Sequence, residues 1–208
     1  DLLAANLSPS QMNAAVRGRF DVYESVGCDM QGTVLVTCYY TPIFEGALQR
    51  SPEFRYPLYA KPPNLQKGPD GNPMRPWPDR RTLESTDALK GLELVYLADP
   101  FEAYVAQVQG SVKIRLRDGS LKTYGYTANN GHEYRSIRAM LVEDGKIGRY
   151  AGLPEMIAWF KAHPNDVQTY TWRNPRYVFF DIVEDGRPRG CLNEPVTPLR
   201  TIATDKSI

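Results

Sequence analysis

The segment from Gly125 to Ile137 holds the densest group of residues in this chain that could do chemistry. It reads Gly-Tyr-Thr-Ala-Asn-Asn-Gly-His-Glu-Tyr-Arg-Ser-Ile, which places rings, amides, a carboxylate and a guanidinium around an Asn-Gly turn. Loops that a scaffold positions often carry binding residues. Arg135 offers a planar fork for a carboxylate or for backbone carbonyls. The segment therefore predicts a recognition loop, and the alternative for Arg135 is an ion pair with Glu133 or Glu143.

Within this loop we expect the substrate-binding residues to be Tyr126, Asn130, Tyr134, Arg135 and Ser136. A tyrosine offers a flat apolar face and a polar tip, so it can stack on a ligand and also form a hydrogen bond to it. Asn130 followed by glycine is typical of a turn with left-handed backbone. The alternative for most of the tyrosines in the chain is a structural role, in which they pack in a core.

A second candidate segment is the end of a predicted strand, where Tyr39, Tyr40 and Thr41 precede Pro42. Neighbouring strand residues face opposite sides, so only one of the two rings should face a ligand. The alternative is that both rings pack in the cores of neighbouring layers. If Tyr40 is the ring that faces the ligand, Tyr40→Ala should weaken binding without unfolding the protein.

A third candidate segment contains Gln109, Gly110 and Ser111. The amide of Gln109 could donate to and accept from a sugar hydroxyl or an acetamido group, and Gly110 permits a sharp bend or the close approach of a ligand. The alternative is an ordinary turn in which Gln109 satisfies nearby backbone groups.

The sequence contains no motif for nucleophilic, nucleotide or metal chemistry. It has no G-x-S-x-G, P-loop or dinucleotide fingerprint, and we expect neither a metal nor a cofactor. The cysteines are odd in number and fit either one disulfide with a free thiol or three buried thiols. An acid–base mechanism needs a carboxyl group in a pocket that tunes its pKa. Turns explain Asp118 and Asp144, and a helix cap explains Asp99. No position can be singled out as the acid among the candidates considered, which are Asp99, Asp118, Glu133, Asp144, Asp181 and Asp205.

The composition is that of an ordinary globular protein of 208 residues, with 42% hydrophobic and 24% charged residues and a net charge of +1. This charge balance gives no electrostatic reason to expect nucleic acid or an anionic membrane as a partner. No apolar run approaches the roughly 20 residues that span a bilayer.

The elements that must position these segments are mixed strands and short helices without regular βαβ alternation. This pattern favours a mostly β, α+β fold with a strand-based barrel or sandwich. A proline-rich connector without regular structure covers residues 61–78. Helices are predicted from a Ser8 cap through Tyr23 and over 100–108, 136–144 and 154–161, and strands over 33–44, 54–60, 92–98, 112–116, 121–126 and 177–183.

Several short motifs follow one another along the chain in a fixed order. These motifs are Cys38–Pro42, Tyr56–Tyr59, Asp99–Ser111, Tyr126–Ile137, Tyr177–Phe180, Pro195–Leu199 and Ala203–Asp205. Together they resemble the MltA-type lytic murein transglycosylases, bacterial enzymes that cleave peptidoglycan glycan strands. Cys38, Val112 and Arg138 stand where that family usually has glycine.

The resemblance implies a two-domain fold, a double-psi β-barrel with a smaller β-barrel inserted into it together with short helices. Residues 1–44 would be the N-terminal segment of the double-psi barrel domain. Residues 45–190 would be the inserted barrel domain, and residues 191–208 would be the return strand that starts a truncated 3D region. The glycan groove of the family runs between the two domains, and the three candidate segments would line one wall of it.

The resemblance also implies a reaction, in which one acid cleaves the bond between N-acetylmuramic acid and N-acetylglucosamine to leave a 1,6-anhydro end. The catalytic Asp of the family is expected beyond Ile208, so this chain alone should be inactive and should supply the glycan-binding part. The alternative is a non-catalytic peptidoglycan-binding module. The implied partner is the glycan strand. We expect a monomer in the periplasm, associated with the outer membrane, and a lipid anchor upstream of Asp1 stays open.

Overall fold

A computed structural model of the chain describes residues 2–21, 30–31, 41–69, 71–187, 189 and 195–197. The chain divides into two compact units, Asp1–Tyr39 and Tyr40–Ile208. Each unit is described by itself below. None of the helices within the described ranges is both long enough and apolar enough to cross a membrane.

The first unit contains a short 3-10 helix, Leu3–Ala5, and helix α1, Pro9–Arg17. The predicted start of α1 is confirmed, because Ser8 and Gln11 each bond the other's backbone N–H. The helix ends earlier than predicted: the N–H of Gly18 donates to the carbonyl of Ala14, and the N–H groups of Arg19 and Phe20 both donate to the carbonyl of Val16. Phe20 lies beyond that end and is 61% exposed, whereas Tyr23 falls outside the described residues.

The second unit is built on a six-stranded sheet with the order β2-β3-β1-β4-β5-β6. Strands β1 and β4 are parallel, and every other neighbouring pair is antiparallel. The predicted strand over 33–44 overlaps β1 only at its end, and 33–40 lie outside the described residues. The strands are β1 Ile43–Ala47, β2 Tyr56–Tyr59, β3 Glu93–Leu97, β4 Ser111–Arg115, β5 Leu121–Asn129 and β6 Val178–Ile182.

The two outer strands of the order come together through one parallel bridge, between Ala60 just after β2 and Phe180 in β6. The sheet therefore curls into a small barrel. Pro57 lacks an N–H and is tolerated best at an edge, and β2 does lie at one end of the strand order, as predicted. The predicted hairpin is also confirmed, because β4 and β5 pair across a turn at Gly119, whose φ is +83°.

Helix α3, Pro100–Gln109, closes the interior of the barrel. Asp99 caps it by accepting from the N–H groups of Phe101 and Glu102 at 2.7 and 3.0 Å. Ala103 and Ala106 face the barrel interior, where they pack against apolar strand residues. The predicted burial of Phe101, Tyr104 and Val105 is confirmed, but Val108 is 41% exposed. The assignment of Val108 to the buried face was wrong, because its side chain faces the surface although Ala106 and Gln107 in the same turn are buried.

A layer of short helices packs on the other side of α3 and shares a core with it. The predicted helices over 136–144 and 154–161 are confirmed to within one residue at each end, whereas α2 and α6 were not predicted. Arg138, where the resemblance leads one to expect glycine, donates to the carbonyls of Ala151 and Arg149, both at 2.6 Å. The helices of this layer are α4 Ile137–Glu143, α5 Leu153–Ala162, the 3-10 helix Pro164–Asp166 and α6 Val167–Thr171. Helix α2, Arg80–Ser85, instead buries Leu83 in a separate core.

Candidate functional site

The turn at Asn130-Gly131 is fixed by a buried side chain. The amide nitrogen of Asn130 donates to the carbonyls of Pro78 and Pro175 at 3.0 and 2.9 Å, and its oxygen accepts from the N–H of Tyr177 at 2.7 Å. Asn130 is fully buried, and Gly131 has a φ of +82°, which confirms the predicted left-handed turn. All polar atoms of the Asn130 side chain are therefore in use within the protein, so Asn130 holds the loop in place.

The floor beneath this loop is formed by Arg80, which is only 2% exposed. Its guanidinium carbon lies 4.8 and 4.9 Å from the ring centroids of Tyr104 and Tyr177, so the charge is sandwiched between two aromatic faces. The same guanidinium donates to Glu84 at 2.9 Å and to the side-chain oxygen of Gln107 at 2.8 Å. Buried charges need such partners to offset the loss of hydration, and Arg80 has them on every side.

Asn174 connects Arg80 to the recognition loop. Its carbonyl accepts from Arg80 at 3.2 Å, and its side-chain oxygen accepts from the N–H groups of Arg135 and Arg176 at 3.1 and 3.2 Å. Its amide nitrogen donates to the hydroxyl of Tyr104 at 3.0 Å. The exposed part of the loop is thus pinned to the buried floor through one side chain.

A cavity of about 280 Å³ opens between this floor and the loop. Two of the predicted binding residues line it with half-exposed rings, since Tyr126 is 47% and Tyr134 is 50% exposed. The hydroxyl of Tyr126 accepts from the amide of Asn129 at 2.8 Å, which fixes the ring. Residues that line the cavity include Arg80, Gln107, Gly110, Tyr126, Tyr134 and Asn174.

The segment around Gly110 adjoins this cavity. Gly110 has a φ of +71° and its carbonyl accepts from the N–H of Tyr126 at 2.7 Å, so the bend lies directly against β5. The hydroxyls of Thr41 and Ser111 are 3.2 Å apart. Gln109 is half-buried, and its amide forms no hydrogen bond with any residue that the structure describes. The structure therefore places Thr41, Ser111 and Tyr126 beside the bend at Gly110, which Gln109 directly precedes.

Arg135 faces a different cavity, of about 520 Å³, that Asp79, His132 and Trp172 also line. Within the described part of the chain its guanidinium forms no ion pair, so neither Glu133 nor Glu143 satisfies it. The adjacent residues Tyr134 and Arg135 thus line two different cavities.

Three further predicted binding residues remain, namely Ser136, Tyr39 and Tyr40. Ser136 caps α4 by accepting from the N–H of Ala139 at 3.2 Å, which gives its hydroxyl a structural role. Tyr39 and Tyr40 lie outside the described residues.

No described carboxyl group combines a raised pKa with a place in one of these cavities. Burial, followed by the charge of Asp99, raises the pKa of Glu102 on α3 above its usual range, but Glu102 does not line them. Hydrogen bonds lower the pKa of four other carboxyl groups. Among the described residues no three His, Cys, Asp or Glu side chains gather to hold a metal ion. The four lowered groups are Asp79, Asp118, Asp144 and Glu155.

The sequence analysis did not predict the buried polar residues beneath the loop, namely Arg80, Gln107 and Asn174. One signal was available, because Asp79 accepts from the N–H of Thr82 at 2.9 Å and is a typical cap for a helix that starts at Arg80. Nothing in a single sequence distinguishes Arg80 from the exposed Arg81 beside it.

Comparisons with known proteins agree with the motif pattern. The family model described as the MltA specific insert domain matches residues 35–181. Membrane-bound lytic murein transglycosylase A of Escherichia coli is 29% identical over 191 residues, which cover 90% of this chain and 50% of that protein. The protein of the same name from Vibrio cholerae is 30% identical over 185 residues, covering 88% of this chain and 48% of that protein. The chain thus spans about half the length of the curated relatives that it matches.

Solved structures give the same result. The crystal structure of E. coli MltA with bound chitohexaose superposes with a TM-score of 0.70 at 28% identity, covering 82% of this chain and 49% of that one. The lytic transglycosylase LtgG of Burkholderia pseudomallei has a TM-score of 0.66 at 37% identity, covering 81% of this chain and 50% of that one.

Proposed function

The chain belongs to the MltA family, whose specific insert domain matches most of its length, and from this premise we propose that the protein is a peptidoglycan lytic transglycosylase. In this proposal the described barrel supplies the surface that holds the glycan strand. The observation that carries it is the 280 Å³ cavity, where Tyr126 and Tyr134 present half-exposed rings over a rigid floor. One structural relative is described as having chitohexaose bound, a sugar chain of the corresponding chemistry.

The proposed roles follow from which groups are in use and which are free. Tyr126 and Tyr134 stack on sugar rings, because a tyrosine face is apolar and flat. Gln109 bonds a hydroxyl or acetamido group with its free amide, and the Thr41–Ser111 hydroxyl pair adds further donors beside it. Tyr39 and Tyr40 remain predicted binding residues. Asn130 and Ser136 act by positioning the loop, and Arg135 binds a group on the opposite side.

The proposed reaction needs a single acid. That acid protonates the glycosidic oxygen between N-acetylmuramic acid and N-acetylglucosamine, and then accepts the proton of the muramic acid C6 hydroxyl as that oxygen attacks C1. The product is a 1,6-anhydro end. Because the nucleophile belongs to the substrate, its effective concentration is high and no positioned water is needed. We assign the acid to the part of the relatives' length that this chain does not span.

We extend the proposal to the architecture and the location of the protein. Residues 45–190 form the inserted barrel domain, and residues 1–44 and 191–208 belong to a double-psi β-barrel. The printed name of the relatives, membrane-bound lytic murein transglycosylase, supports a place in the cell envelope for this protein. We propose a periplasmic monomer associated with the outer membrane.

Binding of chitohexaose to the 208-residue chain tests the glycan surface. Tyr134→Ala should weaken binding by about tenfold, since it removes one stacking face. Tyr150→Ala is the matched control, because Tyr150 is 92% exposed and lines neither of the two cavities described above, so its loss should leave the affinity unchanged. Equal affinities of the two variants would remove the assignment of Tyr134.

A non-catalytic glycan-binding module is the second candidate function, because the cavity lined by Tyr126 and Tyr134 would serve glycan binding without cleavage equally well. Incubating murein sacculi with the full-length gene product decides between the two. Mass spectrometry should detect 1,6-anhydro muropeptides if the protein is an enzyme. Glycan binding without these products would assign it as a binding module.

A further inference from the structure

A larger cavity, of about 560 Å³, opens on the other side of the Arg80 floor. Arg80 and Gln107 line both this cavity and the 280 Å³ cavity, so they form the partition between them. None of the residues predicted to bind glycan lines the larger cavity, so the proposed glycan surface does not account for it. Its outer wall comes from Arg50, Arg55, Tyr56, Tyr59, Glu93 and Tyr96.

The acidic groups of this cavity already have partners. Both carboxylate oxygens of Glu84 are engaged, one with Arg80 at 2.9 Å and the other with the indole N–H of Trp172 at 2.8 Å. Glu93 accepts from the N–H of Gly91 at 2.9 Å. The negative charge of Glu84 is therefore paired with Arg80, whereas Glu93 is held by a backbone N–H alone.

The basic groups at the rim have no such partners. Arg50 and Arg55 are exposed, and within the described residues neither guanidinium forms a hydrogen bond or an ion pair. Arg55 rests against the ring of Tyr56, with its guanidinium carbon 5.6 Å from the ring centroid, which orients the fork without using its donors. A guanidinium fork matches a carboxylate in a bidentate geometry, so the rim is suited to an anionic ligand.

The wall between the rim and the floor adds neutral donors. Burial, followed by the charge of Glu93, raises the pKa of Tyr59 to about 12, and burial raises the pKa of Tyr96. Both hydroxyls therefore stay protonated at neutral pH and can donate to carbonyl groups. Gln168 and Asn165 contribute exposed amides on the opposite side. Free cationic forks, phenol donors and amides together fit a short peptide that carries carboxylates.

We propose that this cavity binds the carboxylate-bearing stem peptide of murein, which rests on the proposed function because it takes murein as the substrate. The sugars of a murein strand are joined to short peptides, and the free carboxylates of the polymer lie on those peptides. The partition through Arg80 and Gln107 then separates a glycan-binding side from a peptide-binding side. The protein would recognise both chemical parts of the same polymer.

Isothermal titration of the 208-residue chain with a synthetic murein stem tetrapeptide tests the inference. Wild type should bind the tetrapeptide saturably. Arg50→Gln combined with Arg55→Gln should lower the affinity by about tenfold or more, because two charge-assisted hydrogen-bond sites are lost. The same peptide with its carboxylates amidated should bind wild type as weakly as the free peptide binds the double variant. Chitohexaose binding should be the same in both proteins.

The matched control is Arg149→Gln. Arg149 is exposed and lies over a neighbouring ring, 5.9 Å from the centroid of Tyr150, as Arg55 does over Tyr56, but it lies outside the three cavities described. Equal loss of peptide affinity in Arg149→Gln and the double variant would overturn the proposal, and so would wild type that does not bind the peptide.

An all-L peptide of the same sequence and charge separates murein from protein partners. Equal affinity for the all-L peptide would assign the cavity to the carboxyl end of a protein and overturn the murein assignment. The proposed glycan surface fails on a different readout, namely chitohexaose binding by Tyr134→Ala, so the two failures are distinguishable.

Discussion

The two halves of the Gly125–Ile137 loop differ in how their polar groups are used. In the first half, Asn129 and Asn130 are buried, and their amides are satisfied by the protein itself. In the second half, Tyr134 and Arg135 are exposed, and the Arg135 guanidinium has no ion-pair partner among the described residues. The difference shows that the buried asparagines of this loop fix its backbone, whereas its exposed side chains are the ones left for the proposed binding.

The largest expected effect on stability comes from replacing Arg80, which lies buried beneath the loop. Arg80→Ala should destabilise the barrel unit by about 4 kcal/mol, because it removes the partner of the partly buried Glu84 and empties the space between two rings. Urea denaturation followed by tryptophan fluorescence measures this, since Trp77, Trp159 and Trp172 all lie in the second unit.

Arg81→Ala is the control for that experiment. Arg81 is exposed and stacks on Trp172 at 5.3 Å, so its loss should cost well under about 1 kcal/mol. If Arg80→Ala were no more harmful than Arg81→Ala, the floor would not be what holds the loop.

Asn130→Ala should have the next largest effect on stability. It leaves the carbonyls of Pro78 and Pro175 and the N–H of Tyr177 without their buried partner, which should cost about 3 kcal/mol. The same denaturation assay measures it. Asn165→Ala, at an exposed asparagine of the same unit, should stay within about 0.5 kcal/mol of wild type. A mild Asn130→Ala that abolished chitohexaose binding would mean that Asn130 contacts the ligand.

Much of the scaffold could be predicted from local signals. Asp99 before Pro100 marked the start of α3, the Asp118-Gly119 turn marked the β4–β5 hairpin, and Gly131 follows the predicted turn residue Asn130. These features depend on residues close in sequence, where capping and turn preferences act.

The arrangement of the site could not be predicted in the same way. Arg80 meets Gln107 and the carbonyl of Arg176, residues that are 27 and 96 positions away along the chain. Arg80 and Arg81 are identical in type and adjacent, yet one is buried and the other is exposed. Only the packing of α2 against α3 and the segment before β6 distinguishes them. For the same reason, the sequence left open whether Arg135 binds a ligand or forms an ion pair.

The smallest expected effect tests the rule behind the comparison, that a buried polar group stabilises the fold only when it is paired. Tyr124 in β5 is fully buried in the barrel interior, and its hydroxyl has no partner among the described residues. Tyr124→Phe should therefore raise the free energy of unfolding by about 1 kcal/mol, since it removes an unsatisfied donor. The hydroxyl of Tyr104, in contrast, accepts from the amide of Asn174. Tyr104→Phe should therefore lower the free energy of unfolding by about 1 kcal/mol. Shifts of the same sign in the two variants would show that burial of the ring, and not pairing of the hydroxyl, decides their contribution.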